Sequence, residues 1–140
     1  ERIRVDAPAD RCWDVAVDFE SYPEWADVKE ARILEHDPEG RGKRVEYRVA
    51  ALGKSVRYVL EYDYAEARTA FSWKLVEGEL VRRLDGTYRF EPEGASSTRV
   101  HYDLAVDLAV PLPGLVKRRA AGMIMGSALK ELKKQVEAVA

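Results

Sequence analysis

Four stretches of this chain alternate apolar and polar residues with a period of two, and that period leaves few folds open. They are Val56-Tyr58-Leu60-Tyr62-Tyr64, Phe71-Trp73-Leu75, Leu84-Gly86-Tyr88-Phe90 and Val100-Tyr102-Leu104-Val106-Leu108. The intervening residues are mostly charged or polar, among them Arg57, Glu61, Asp63, Lys74, Asp85, Arg89, His101, Asp103 and Asp107. Alternation of this kind predicts antiparallel strands with one covered face and one solvated face. The covered face is rich in Tyr, Phe and Trp, so it is either a dense core or the wall of a pocket for an apolar ligand.

Further elements are legible on either side. Ile3 and Val5 alternate with charges and predict a first strand. Pro8 suits a first helical position, Asp10 suits a helix first turn, and Ala9, Cys12, Trp13 and Ala16 share one helical face. Pro23 is expected to separate two short helical pieces. Strands resume from Val28 to His36 and through Val45, Tyr47 and Val49, with a turn at Asp37-Pro38-Glu39-Gly40. Asp85-Gly86 reads as a hairpin turn in isolation. Leu84, Tyr88 and Phe90 nevertheless keep one parity across it, which predicts a single strand kinked at the glycine.

From Pro113 to Ala140 the apolar spacing changes to three and four residues, the signature of a helix. Such a helix is about 40 Å long, and an eleven-residue strand spans roughly 36 Å. The helix therefore matches the sheet it has to cover. The fold class expected is α+β, a curved antiparallel sheet of seven strands around a long C-terminal helix, with two short helices after the first strand. The 140 residues suffice for one domain, 1–140.

Composition removes several functions. With 46% hydrophobic and 34% charged residues the chain reads as soluble and globular. A formal net charge of −2 provides no field for nucleic acid, so no nucleic-acid partner is expected. The single cysteine, Cys12, excludes an intrachain disulfide and fits a reducing, cytoplasmic compartment. The chain opens on a strand-like segment without a methionine, which reads as a trimmed part of a longer chain with no signal peptide.

The middle of the last helix is small-sided: Ala120, Ala121, Gly122, Gly126, Ser127 and Ala128. Two readings follow. The glycines can let the helix backbone approach the sheet, with the aromatics interlocked as plain core. Alternatively, a twisted sheet curling around a straight helix leaves a gap that small residues do not fill. Buried tyrosine hydroxyls want partners, and no inward polar partners are evident in the strands themselves.

At this point the residues resemble a known family. Ala7-Pro8 before Cys12-Trp13-Asp14-Val15, then Asp18-Phe19-Glu20-Ser21-Tyr22-Pro23-Glu24-Trp25, is similar to the opening of bacterial polyketide cyclase/dehydrase and lipid transport proteins of the START-like (SRPBCC) superfamily. Ser72 to Gly78, Leu84 to Phe90 and Val110-Pro111-Leu112-Pro113-Gly114 extend the resemblance over essentially the whole chain. The segment Tyr22-Pro23-Glu24-Trp25 is also similar to the coenzyme-Q-binding chaperone branch. The resemblance implies a helix-grip fold with a deep hydrophobic cavity between sheet and helix. It implies binding or transport of a lipid, polyketide or quinone-like molecule, or else aromatase/cyclase or dehydratase chemistry by polar cavity residues.

On this reading the ligand-binding candidates are Tyr47, Tyr58, Leu60, Tyr62, Phe71, Trp73, Arg82, Tyr88, Phe90, Tyr102, Leu104, Met123 and Ser127. Arg82 is included because it shares the inward parity of Leu84 in a regular strand. No catalytic signature, phosphate loop or metal-ligand spacing is present, and no cofactor or metal is expected. His36 and His101 read as solvated and Cys12 as a small hydrophobe. Residues 113–140 carry six basic and two acidic side chains, a net of +4, while the remainder of the chain is −6. A basic amphipathic helix is a candidate for peripheral membrane contact, and a solvated outer face explains the same residues. No feature identifies a protein partner.

Overall fold

The computed structural model describes residues 1–51, 54–109 and 113–138. Seven strands form one antiparallel sheet: β1 (Arg2–Val5), β2 (Glu30–His36), β3 (Gly42–Ala51), β4 (Lys54–Glu66), β5 (Ala70–Gly78), β6 (Val81–Pro92) and β7 (Thr98–Leu108). Their spatial order is β1-β7-β6-β5-β4-β3-β2, so consecutive strands pair as a meander and β1 closes onto β7. Between β1 and β2 lie α1 (Ala9–Ala16), a 3₁₀ turn (Phe19–Ser21) and α2 (Tyr22–Trp25). The long helix α3 spans Gly114–Ala138 and packs on β7, β1 and α1.

The period-two residues behave as read. Val56, Leu60, Tyr62 and Tyr64 of β4, Phe71 and Trp73 of β5, Tyr88 and Phe90 of β6, and Val100 and Tyr102 of β7 are all buried on one face. β6 runs unbroken through Asp85-Gly86, with Gly86 opposite both Trp73 and Leu104. The reason for glycine is steric. A Cβ there would lie 2.7 Å from the Asp103 carbonyl oxygen and closer still to Cζ2 of the Trp73 indole.

Three local expectations need correction. Pro23 does not separate two helical pieces; it occupies the first turn of α2, where its missing N–H is harmless. The break falls earlier, at Val17-Asp18, before the 3₁₀ turn. Pro8 is the residue preceding α1, with extended backbone, and Ala9 is the first helical residue. β2 begins at Glu30 and not at Val28.

The core is lopsided. Leu129, Leu132 and Val136, on the C-terminal half of α3, are buried with Val5, Cys12, Ala16 and Val100. Thr98 is sealed within this region and donates its hydroxyl to the Ala7 carbonyl at 2.8 Å. Trp13 of α1 meets Phe71 and Phe90 edge-on, with ring centroids 5.5 and 5.9 Å apart. Phe19 lies 4.3 Å from the ring of Tyr62. One end of the inner face is thereby closed by aromatic packing. At the N-terminal end of α3, Leu115 and Val116 are 62% and 46% exposed.

Gly86→Ala is expected to lower the unfolding free energy by about 2–3 kcal/mol, because neither the β7 backbone nor the packed indole can retreat from a new methyl. Urea denaturation followed by tryptophan fluorescence measures the shift.

Candidate functional site

Beyond the closed end the inner face is not filled. A cavity of about 460 Å³ lies between the sheet, the α2–β2 segment and α3, within the size range of small-molecule sites. Its inner end is walled by Tyr62, Phe71, Trp73, Tyr88 and Tyr102. Toward the other end the wall becomes aliphatic, with Val56, Leu84, Leu104, Val106 and Leu108. Tyr22, Trp25 and Val28 flank one side, and Ser127 and Ala128 of α3 the other. Burial relaxes along this axis: Tyr88 and Tyr102 are buried, whereas Leu84, Leu104, Val106 and Leu108 are partly exposed.

A larger groove of about 530 Å³ crosses the outer surface beside the β2–β3 turn. It is lined by Asp37, Arg41, Lys43, Glu61, Asp63 and Lys74, among others. These charges are of both signs, and Arg41 is already held by Asp37 at 2.7 Å. The inner cavity is the candidate site, because its wall is mostly apolar and the outer groove is lined mainly by solvated charges.

The sequence-selected residues fall into three groups. Tyr47, Tyr58, Leu60, Tyr62, Phe71, Trp73, Tyr88, Tyr102, Leu104 and Ser127 line the cavity. Arg82 and Phe90 do not. The register shifts between Val81 and Arg83, so the parity assumed for Arg82 fails and its side chain is exposed. Phe90 is 1% exposed and packs beneath the cavity against Trp13. The side chain of Met123, like those of Ala120 and Ala121, lies outside the described residues.

Residues not chosen from sequence complete the wall. Val106 and Leu108 extend the same β7 parity and were legible in it. Leu80 was not: it stands in the β5–β6 turn with φ +59°, a left-handed conformation unusual for a branched residue, and lines the cavity. The carboxyl-bearing residues Asp27, Glu79 and Glu131 also border the cavity. They come from three distant segments, so only tertiary structure groups them.

The tyrosine hydroxyls divide into two sets. Tyr47 and Tyr62 share one hydrogen bond at 2.6 Å. Tyr64 donates to the Gly42 carbonyl at 2.6 Å, and Tyr22 to the Ala16 carbonyl. The hydroxyls of Tyr58, Tyr88 and Tyr102 have no hydrogen-bond partner among the described residues. No buried side-chain polar atom there is both sealed and unpartnered. These three hydroxyls are therefore open, and the space they open onto is the cavity they line. Burial pushes all of these phenols above their ordinary value near 10; neighbouring phenols add to the shift at Tyr47, Tyr62, Tyr88 and Tyr102.

Other reactive groups lie elsewhere. Cys12 is buried in the core, where burial pushes its thiol up. His101 is 3.6 Å from Glu91 and outside the cavity lining, and His36 is exposed at the end of β2. The described residues contain no group of His, Cys, Asp and Glu arranged to hold a metal ion.

Comparison with known proteins now places this architecture. A family model described as polyketide cyclase / dehydrase and lipid transport matches residues 1–137. The chain belongs to that family. A START superfamily protein from Mycobacterium smegmatis is 26% identical, with all of this chain and 97% of that one covered at a TM-score of 0.94. A Thermus thermophilus protein is 28% identical over all of this chain and 97% of that one, at a TM-score of 0.80. An aromatase/cyclase from a Streptomyces species is 19% identical over 98% of this chain and 91% of that one, at a TM-score of 0.77, which is a likeness of fold. No curated protein matches the chain. The family's description spans two functional classes, lipid transport and polyketide cyclase / dehydrase chemistry. The helix-grip expectation is met by the sheet and α3.

Raised phenol pKa values have a consequence for stability. Between the unfolded value near 10 and the higher folded values, the native state keeps protons that the unfolded state releases. Their contribution is complete below about pH 10 and is lost as pH rises above it. Tyrosinate absorbance is therefore expected to appear together with loss of near-ultraviolet circular dichroism in an alkaline titration. Early ionisation of most tyrosines in a still-folded protein would contradict the burial described.

Proposed function

We propose that the chain, as one domain, binds or carries a hydrophobic small molecule of lipid, polyketide or quinone-like type in the cavity between sheet and α3. The observation that carries this is the 460 Å³ apolar cavity left open beside a core that is otherwise closely packed. A gap of that size lined by apolar groups forfeits dispersion contacts unless it is occupied. The residues proposed to contact the ligand are Tyr47, Tyr58, Leu60, Tyr62, Phe71, Trp73, Tyr88, Tyr102, Leu104 and Ser127.

Binding is favoured over cyclase or dehydratase chemistry by the kind of polar group present. General acid–base catalysis works best with a group titrating near the working pH and within reach of the reacting atom. Among the described lining residues, the titratable groups are phenols driven upward by burial and the three carboxyl groups of Asp27, Glu79 and Glu131. Glu79 also accepts the Arg57 backbone N–H at 2.8 Å, which commits one of its oxygens to structure.

A membrane surface is proposed as the place of loading or release. Leu115 and Val116 are exposed at the start of α3, next to exposed Arg118 and Arg119, and Lys130 and Lys134 are exposed further along the helix. Apolar residues beside cations are what an anionic bilayer interface takes up. The protein is expected to co-sediment with vesicles containing anionic lipid and not with neutral vesicles. Leu115→Glu together with Val116→Glu is expected to abolish that binding, and no co-sedimentation with anionic vesicles would dismiss the membrane role.

Nile red, a neutral apolar dye, tests the binding function. Its fluorescence is expected to rise saturably with the protein. Ala128→Phe, which places a ring inside the cavity, is expected to weaken the dye at least about tenfold, the effect of losing roughly 1.4 kcal/mol of binding energy. Saturable binding that is indifferent to Ala128→Phe would show that the dye sits elsewhere. Absence of binding to the unmodified protein would remove the proposal.

A further inference from the structure

The cavity is not evenly apolar. Tyr88 and Tyr102 are 6% and 8% exposed, their rings are 4.6 Å apart, and Trp73 backs both at 5.6 and 5.5 Å. Their hydroxyls, with that of Tyr58, have no acceptor among the described residues and open onto the cavity. Burial keeps each phenol protonated, so each has a hydrogen to donate. An unmet donor in a desolvated site penalises any ligand that covers it with hydrocarbon.

The charged groups bordering the cavity have one sign. Asp27 follows α2, Glu79 lies in the β5–β6 turn and Glu131 is on α3. No Lys, Arg or His is among the described lining residues. Glu79 and Asp27 are exposed and Glu131 is partly exposed, which places all three toward solvent and the phenols inward.

We infer that this cavity selects a neutral or cationic apolar molecule carrying oxygen acceptors toward its inner end, and rejects carboxylates and other anions. This rests on the ligand-binding function above and narrows it. The inward donors recognise a carbonyl or ether oxygen that hydrocarbon of the same shape lacks. The carboxyl groups repel an anionic head and offer it no counter-charge. A fatty acid or an aromatic acid fits the apolar wall and fails on charge, whereas a ketone or quinone of the same skeleton satisfies both ends.

The test is displacement of Nile red by three naphthalenes substituted at the same ring position: acetylnaphthalene, ethylnaphthalene and naphthoate. Acetylnaphthalene is expected to displace the dye at about tenfold lower concentration than either of the others, the effect of one well-made hydrogen bond. In Tyr58→Phe/Tyr88→Phe/Tyr102→Phe the ratio between the acetyl and ethyl compounds is expected to fall to about one. That ratio is read within the variant, so a change in overall affinity does not confuse it. In Asp27→Asn/Glu79→Gln/Glu131→Gln, at low ionic strength, naphthoate is expected to gain about fivefold relative to the acetyl compound. Equal displacement by the acetyl and ethyl compounds, survival of the preference in the triple phenylalanine variant, or naphthoate matching the ketone in the unmodified protein would each overturn the inference while leaving the binding function intact. Failure to bind Nile red at all would overturn both.

Discussion

Trp13 stands edge-on to Phe71 and Phe90, 5.5 and 5.9 Å away, and this contact ties α1 to the sheet at one end of its inner face. The rest of the architecture follows from where that plug sits. With the indole in place, the Phe19 ring packs at a tilt against Tyr62 and the 3₁₀ turn is held against β2. Leu129, Leu132 and Val136 then complete the packing from α3. Each aromatic pair adds about 0.5–1.5 kcal/mol beyond its buried area, so these contacts hold α1 and the 3₁₀ turn firmly on the sheet. The remaining length of the sheet is free to enclose space.

That division between a packed end and an open end was only half legible in the sequence. Parity along β4, β5, β6 and β7 identified the inward residues correctly, because strand alternation is a local property that one bulge can disturb but not erase. Arg82 shows the disturbance. Nothing in Val81-Arg82-Arg83-Leu84 signals the register shift that turns it outward. Phe90 shows a different limit. Parity places a residue on a face and says nothing of its position along the axis from closed end to mouth, and Phe90 belongs to the plug.

Gly86 was readable for a physical reason. A hairpin at Asp85-Gly86 would have broken the shared parity of Leu84, Tyr88 and Phe90, so the longer-range pattern outweighed the dipeptide. The acidic border was unreadable for an equally physical one. Asp27, Glu79 and Glu131 are separated by more than fifty residues at each step, and each alone is an ordinary surface carboxyl. The pairing of Tyr47 with Tyr62 was likewise hidden. Those residues come from adjacent strands but are not register partners: Tyr47 faces Tyr58 across the ladder, and its hydroxyl reaches past it to Tyr62.

The fate of the seven tyrosines follows from what covers them. A phenol is satisfied by backbone only where a carbonyl is free, and helices use theirs internally except at the ends. Tyr22 finds such a carbonyl at Ala16, the last residue of α1, and Tyr64 finds one at Gly42, the first residue of the neighbouring β3. Both acceptors belong to the ends of elements. Tyr58, Tyr88 and Tyr102 stand on the part of the sheet enclosed by α3 and the α2–β2 segment. From residue 120 to 128 the sequence of α3 includes one hydroxyl, Ser127, and no other polar side chain. Among the described α3 residues that line the cavity, Ala128 has no polar side-chain atom and Ser127 and Glu131 make no hydrogen bond to the three phenols, so the covering helix leaves those donors unmet. Water can satisfy those hydroxyls while the cavity is empty of ligand, and whatever displaces that water has to replace its hydrogen bonds or lose affinity.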